Sequence, residues 1–159
     1  MENGGPFSPS EGAQSVQGKI PILGKFFHAS GDYLPVGTIL MPRPDYSQRW
    51  GHTDFYPVLE RYRPAHCLSH AHAVFMCDSG EVLDAAGAAT EWVFEVKPLG
   101  PVSRHDMNFS AAVSCALSEG QSEAVVADLA RQYWMGVAGG DPLWEYLTSS
   151  ARILKVERF

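Results

Sequence analysis

A chain of 159 residues, 45% hydrophobic and 19% charged, has the size of one domain and enough apolar material to bury a core. Eighteen acidic against twelve basic residues give a net charge of -6. No window gathers Lys or Arg into the stripe that a phosphate backbone demands, so nucleic-acid binding is not favoured. No apolar run approaches the roughly 20 residues needed to span a bilayer, and Met1-Glu2-Asn3-Gly4-Gly5 has neither the basic nor the apolar region of a signal peptide. The expectations are no membrane partner and a cytoplasmic location. Cys67, Cys77 and Cys115 form no C-x-x-C pair and read as reduced thiols.

Residues 1–18 are rich in Gly, Ser, Pro, Gln and Glu and nearly free of aliphatics, the composition of a disordered tail; residues 19–159 are expected to form a single domain. Lys25-Phe26-Phe27-His28-Ala29-Ser30 suits a strand, with the turn pair Gly31-Asp32 behind it. Residues 34–40 read as a second extended piece, closed by Pro42 and Pro44. Phe55, Val58, Leu59 and Tyr62 lie on one helical face, with Asp54 placed to cap and Pro57 in the first turn. Ala73-Val74-Phe75-Met76-Cys77 is a continuous apolar run, the pattern of a buried strand. Ser79 opens a helical stretch that Gly87 can end.

Trp92-Val93-Phe94-Glu95-Val96-Lys97 alternates like a half-exposed strand and stops at Pro98. A long connection is expected over residues 102–120. Over residues 122–134, Val125, Val126, Leu129, Ala130 and Tyr133 form a helical apolar stripe, and residues 151–157 read as a closing strand. Tyr133, Trp134, Trp144 and Tyr146 are read as core aromatics.

In order and content, Phe26-Phe27-His28-Ala29-Ser30, the Pro35- and Gly37-containing segment after it, Ala73-Val74-Phe75-Met76, and Val96-Lys97-Pro98-Leu99-Gly100-Pro101-Val102 leading to Asp106-Met107-Asn108 resemble the ADP-ribosyltransferase superfamily. The closest likeness is to the small rifampin ADP-ribosyltransferases, over residues 25–108. The resemblance implies an α+β fold with a split, mixed β-sheet core and flanking short helices. It also implies an NAD-dependent mono-ADP-ribosyltransferase, with NAD as substrate, release of nicotinamide, and a small-molecule or macromolecular acceptor that the motifs do not name. That chemistry passes through a ribosyl oxocarbenium, which requires positioning and a nearby negative charge.

By the resemblance, His28 holds the nicotinamide ribose, the Ala29 backbone fixes the nicotinamide amide, and Ser30 lies near the adenosine ribose. Phe75 takes the place of the family's stacking Tyr without its hydroxyl, and Asp106 is the carboxylate that stabilises the transition state. The catalytic pair is therefore His28 and Asp106, and the NAD-binding set is His28, Ala29, Ser30 and Phe75. Arg104 stands where the arginine-modifying branch carries Glu or Gln, so protein-arginine modification is not supported.

Plainer readings stand beside these. His28 could be satisfied by a backbone carbonyl, Phe75 could be core, and Asp106 could be a turn residue whose side chain binds nearby backbone. The same fold could also serve as a binding or inhibitor protein without turnover, of the kind carried by phages or mobile elements. His66, Cys67, His70 and His72 are zinc-ligand types, but without compact spacing they read as a polar loop with a histidine or two lining the cleft; no metal is expected.

Overall fold

The computed structural model describes residues 24–51, 53–85 and 91–157. Expectations that fall on residues 1–23, and on Gly87 as a helix terminator, lie outside the described residues.

The aromatic run forms β1 (Phe26–Ser30), followed by the short β2 (Ile39–Leu40), α1 (Tyr46–Trp50) and α2 (Phe55–Arg61). A 3-10 turn (His70–His72) leads into β3 (Val74–Cys77), and then come α3 (Gly80–Ala85), β4 (Trp92–Pro98) and β5 (Ser103–Asp106). The chain continues through α4 (Met107–Ser118), α5 (Glu123–Trp134), β6 (Trp144–Thr148) and β7 (Ala151–Glu157). The architecture is α+β, and in place of a split, mixed core it has one seven-stranded sheet ordered β2-β7-β4-β1-β3-β6-β5, with every neighbouring pair antiparallel.

The joins along this sheet are unequal. β1 meets β4 over five registered pairs, and β3 meets β6 over four, but β1 and β3 share the single pair Phe27 with Cys77. The two central strands therefore part beyond that point, and each side of the sheet is anchored to its own outer neighbours.

Alternation along the strands sorts the core. Phe26, Phe94, Val96, Val74, Met76, Tyr146 and Ile153 form one buried cluster. Leu147, Ala73 and half-buried Phe75 pack instead with Tyr56, Val58 and Leu59 of α2, Val113 and Ala116 of α4, and Val126, Ala130 and Tyr133 of α5. The Trp134 indole fastens α5 to α2 by donating to the Leu59 carbonyl at 2.7 Å.

Several elements differ from the sequence expectation, each for a local reason. Of residues 34–40 only Ile39 and Leu40 pair as strand, because Gly37 takes φ +89°, which turns the chain before it can run alongside β7. Asp54 has a helical backbone and makes no cap bond; Thr53 Oγ1 accepts from Tyr56 N–H, and the Asp54 carboxylate accepts the Ser114 hydroxyl of α4. The expected connection over residues 102–120 contains β5 and α4, and β6 carries Trp144 and Tyr146, for which the sequence predicts core aromatics but no strand. β5 is too polar to show strand alternation, and the buried face of α4 is Ser110, Val113 and Ala116, too small to mark a stripe.

In α5 the buried face is Val126, Ala127, Ala130, Tyr133 and Trp134, rotated from the expected one, so that Val125 is 42% exposed. Ser122 caps this helix by accepting from Val125 N–H. Phe94 is wholly buried at the centre of the sheet. Phe94→Ala is expected to lower unfolding free energy by roughly 3–5 kcal/mol in urea titration, whereas Val125→Ala changes it by less than about 0.5 kcal/mol.

Candidate functional site

A cavity of about 260 Å³ opens on the side of the sheet where β1 and β3 part. His28 and Ser30 of β1, Phe75 of β3, Tyr46 and Trp50 of α1, and His70 line it, and the segment from Leu34 to Arg43 forms its rim. The volume lies just below the roughly 300–1,000 Å³ of pockets that enclose a drug-sized ligand. It would hold part of a dinucleotide and leave the rest outside.

His28 Nδ1 lies 2.8 Å from the Phe75 carbonyl, so the side chain spans the gap that the β1–β3 ladder leaves open. Burial lowers the His28 pKa, the bond to Phe75 opposes that shift, and the Arg43 charge adds to it. The ring is therefore neutral at pH 7. Its Nδ1–H donates to Phe75, and Nε2 keeps an acceptor lone pair.

Phe75 is half-buried and lies in an aromatic group. Its ring is within 14° of parallel to Tyr46 at 6.3 Å, and within 10° of parallel to His70 at 5.8 Å. The Tyr46 hydroxyl is buried and finds no hydrogen-bond partner among the described residues. Burial, with the Glu60 and Glu145 charges behind it, raises the Tyr46 pKa and keeps the phenol protonated. Arg43, on the rim, forms a two-point ion pair with Asp45 at 3.1 and 3.3 Å. No carboxylate lines the cavity among the described residues.

The expected site residues separate in space. His28, Ser30 and Phe75 meet at the cavity. Ala29 packs on the other face of β1, in the small cluster of Cys77, Val82, Leu83 and Val93 beneath α3. Asp106 is fully buried outside the cavity lining, where its carboxylate caps α4 through Asn108 N–H and accepts from Gly139 N–H at 2.8 Å and Leu143 N–H at 3.1 Å. Gly139 approaches so closely that a Cβ there would lie 3.0 Å from Asp106 Oδ2. With three backbone donors on two oxygens, Asp106 ties the start of α4 to the loop before β6.

The residues that sequence reasoning missed are Tyr46, Trp50 and two carboxylates outside the cavity lining, half-buried Glu60 and buried Glu145. Glu60 takes the His70 backbone N–H and ring Nδ1, both at 2.8 Å. Glu145 of β6 accepts the Tyr133 hydroxyl at 2.8 Å and the Tyr56 hydroxyl at 3.2 Å. Burial, then Glu145 and Asp78, push the neighbouring Cys77 thiol up to about 12, leaving it inert. A lone Glu between Trp144 and Tyr146 gives no sequence signal of this kind, because its partners come from α2 and α5. His66 and His72 are exposed, and no group of three His, Cys, Asp or Glu among the described residues could hold a metal ion.

The chain matches no protein-family model and no curated protein at a significant level. No helix among the described residues is long and apolar enough to cross a membrane.

Asp106→Ala is expected to cost roughly 3 kcal/mol or more in urea unfolding, while ligand binding at the cavity persists in the folded protein. A second expectation concerns acid. Burial lowers the His105 pKa from 6.5 to about 4, so its folded state favours the neutral ring. That contribution is complete above pH 6.5 and is lost as pH falls towards 4. Hydrogen bonds from His70 hold Glu60 down at about 2 against the opposing effect of burial, so its contribution, complete above pH 4.5, is lost between 4.5 and 2. Unfolding free energy measured against pH should fall in these two windows, and His105→Asn should flatten the upper one.

Proposed function

We propose that the cavity binds the nicotinamide riboside half of NAD, and that the chain is a cytoplasmic, NAD-dependent mono-ADP-ribosyltransferase that releases nicotinamide and passes ADP-ribose to an acceptor. The observation that carries this reading is the meeting at one cavity, where two central strands part, of His28, Ser30 and Phe75, three residues that the family resemblance assigns to NAD. A neutral His28 with Nε2 as acceptor suits a ribose hydroxyl donor. Phe75 and Tyr46 offer nearly parallel faces to a flat ring, and the buried Tyr46 hydroxyl has a hydrogen to donate to a ligand oxygen. Arg43 at the rim suits the pyrophosphate.

The negative charge that an oxocarbenium requires is supplied in this reading by Glu145, with Glu60, and not by Asp106. Both carboxylates act on Tyr46, which itself lines the cavity, so their field reaches the ligand through a low-dielectric wall. A second reading, binding without turnover, is favoured by one observation: no carboxylate touches the cavity among the described residues.

Incubation with NAD and a cell lysate as source of acceptors should yield free nicotinamide. His28→Ala and Glu145→Gln should each lower its release on the order of 100-fold. Absence of release by the wild type overturns the enzyme reading. Tight NAD binding without release would favour the second.

A further inference from the structure

At the cavity wall, where His70 is part of the lining, a chain of short hydrogen bonds can be counted proton by proton. Glu60 Oε1 lies 2.8 Å from His70 Nδ1, His70 Nε2 lies 2.6 Å from the Tyr133 hydroxyl, and that hydroxyl lies 2.8 Å from Glu145 Oε2. Three links require three hydrogens. Glu60 already accepts the Ser69 hydroxyl, the His70 backbone N–H and Arg63 Nε–H, so it is an ionised acceptor and Nδ1 must donate to it. Tyr133 has one hydrogen. A neutral His70 would take that hydrogen at Nε2 and leave the Tyr133 oxygen facing Glu145 Oε2 with nothing between them, unless Glu145 carried a proton. Glu145 also accepts the Tyr56 hydroxyl on its other oxygen, and two phenol donors on one carboxyl favour its ionised form.

We propose that His70 is an imidazolium held between the Glu60 and Glu145 carboxylates, and that it is the positioning residue that keeps Glu145 ionised and fixed behind the cavity wall. His70 is 1% exposed, and a buried cation is tolerated only where paired anions and filled hydrogen bonds surround it. Every element packed against it fits that state. α2 presents Glu60 and Tyr56, Arg63 just beyond its end pairs with Glu60, α5 presents Tyr133 and Trp134, and α1 lays the Tyr46 ring 6.1 Å away and within 8° of parallel. β5 presents His105, kept neutral by burial and further by the His70 charge. Counted with the Arg63 guanidinium on Glu60, the two carboxylates and one imidazolium cancel, so the network fixes where its charges lie, with His70 in the cavity lining and Glu145 behind it across Tyr133. The bearing of the Glu145 charge on an oxocarbenium rests on the NAD reading above; the proton count does not.

The full chain, labelled with ring-¹⁵N histidine, would be examined by long-range ¹H–¹⁵N NMR. His70 is expected to carry protons on both ring nitrogens at neutral pH. In Glu145→Gln the carboxamide N–H can donate to the Tyr133 oxygen, which frees the phenol hydrogen for His70; the expected result is loss of the Nε2 proton and retention of that on Nδ1. Tyr133→Phe should produce the same loss, so either variant suffices if the other fails to fold. A neutral His70 ring in the wild type overturns the inference, as does retention of both ring protons in a folded variant. Nicotinamide release assayed on the same wild-type sample separates the two readings. No release with a doubly protonated His70 sinks only the NAD reading, and release with a neutral His70 sinks only this one.

Discussion

Between β1 and β3 the ladder holds at Phe27 and Cys77 and nowhere else. Two strands at the middle of a sheet would ordinarily satisfy each other's backbone groups along their whole length. Here the His28 ring donates to the Phe75 carbonyl in place of a backbone amide. A side chain can bridge a wider gap than a peptide N–H, and the space so created is the cavity. Its walls are stiff because each of the two strands is paired fully on its other side. The opening is thus a built feature of the sheet and not a loose end of it.

Polarity is distributed in layers around that opening. The cavity lining is aromatic and aliphatic, with His28, Ser30, Thr38, Arg43, Tyr46 and His70 as its polar points. Outside that lining lie two carboxylates saturated with donors: Glu60, whose donors Arg63, Ser69 and His70 are near it in sequence, and Glu145, whose phenol donors come from α2 and α5. The charge on buried Glu145 is expensive to hold but little screened by solvent, and it adds to burial in raising the Tyr46 pKa at the cavity. Asp106 meets the same saturation rule with a different outcome, since its donors are all backbone and its effect is to hold a helix and a loop together.

Legibility in the sequence followed how local each determinant is. β1, β3, β4 and β7 announce themselves through aromatic or β-branched runs, and α5 through its cap and stripe, although the stripe was rotated because Ala127 and Trp134 outcompete Val125 for the core. β5 escaped because its burial depends on pairing with β6 and on His105 bonding the Tyr133 carbonyl. His28, Ser30 and Phe75 could be picked out because they sit in short motifs. The roles of Tyr46, His70 and Glu145 arise only when α1, α2, α5 and β6 converge, and no spacing along the chain encodes that. The plainer expectation for Asp106, a carboxylate bound to nearby backbone, describes its first contact, Asn108 N–H.

The place of β7 has a consequence for how the chain is made. β7 lies between β2 and β4, so Ile39 waits for Arg152 and Val96 for Ile153. One flank of the sheet cannot close during translation until β7 has left the ribosome. Until then Phe94 and Val96 lack the neighbour that covers them, and residues 33–41, which keep Tyr33, Val36, Ile39 and Met41 exposed even in the finished fold, have no strand to dock on. Nascent chains halted before β7 would present this apolar surface to chaperones, while the helical side, whose contacts between α4 and α5 are local, can already be in place.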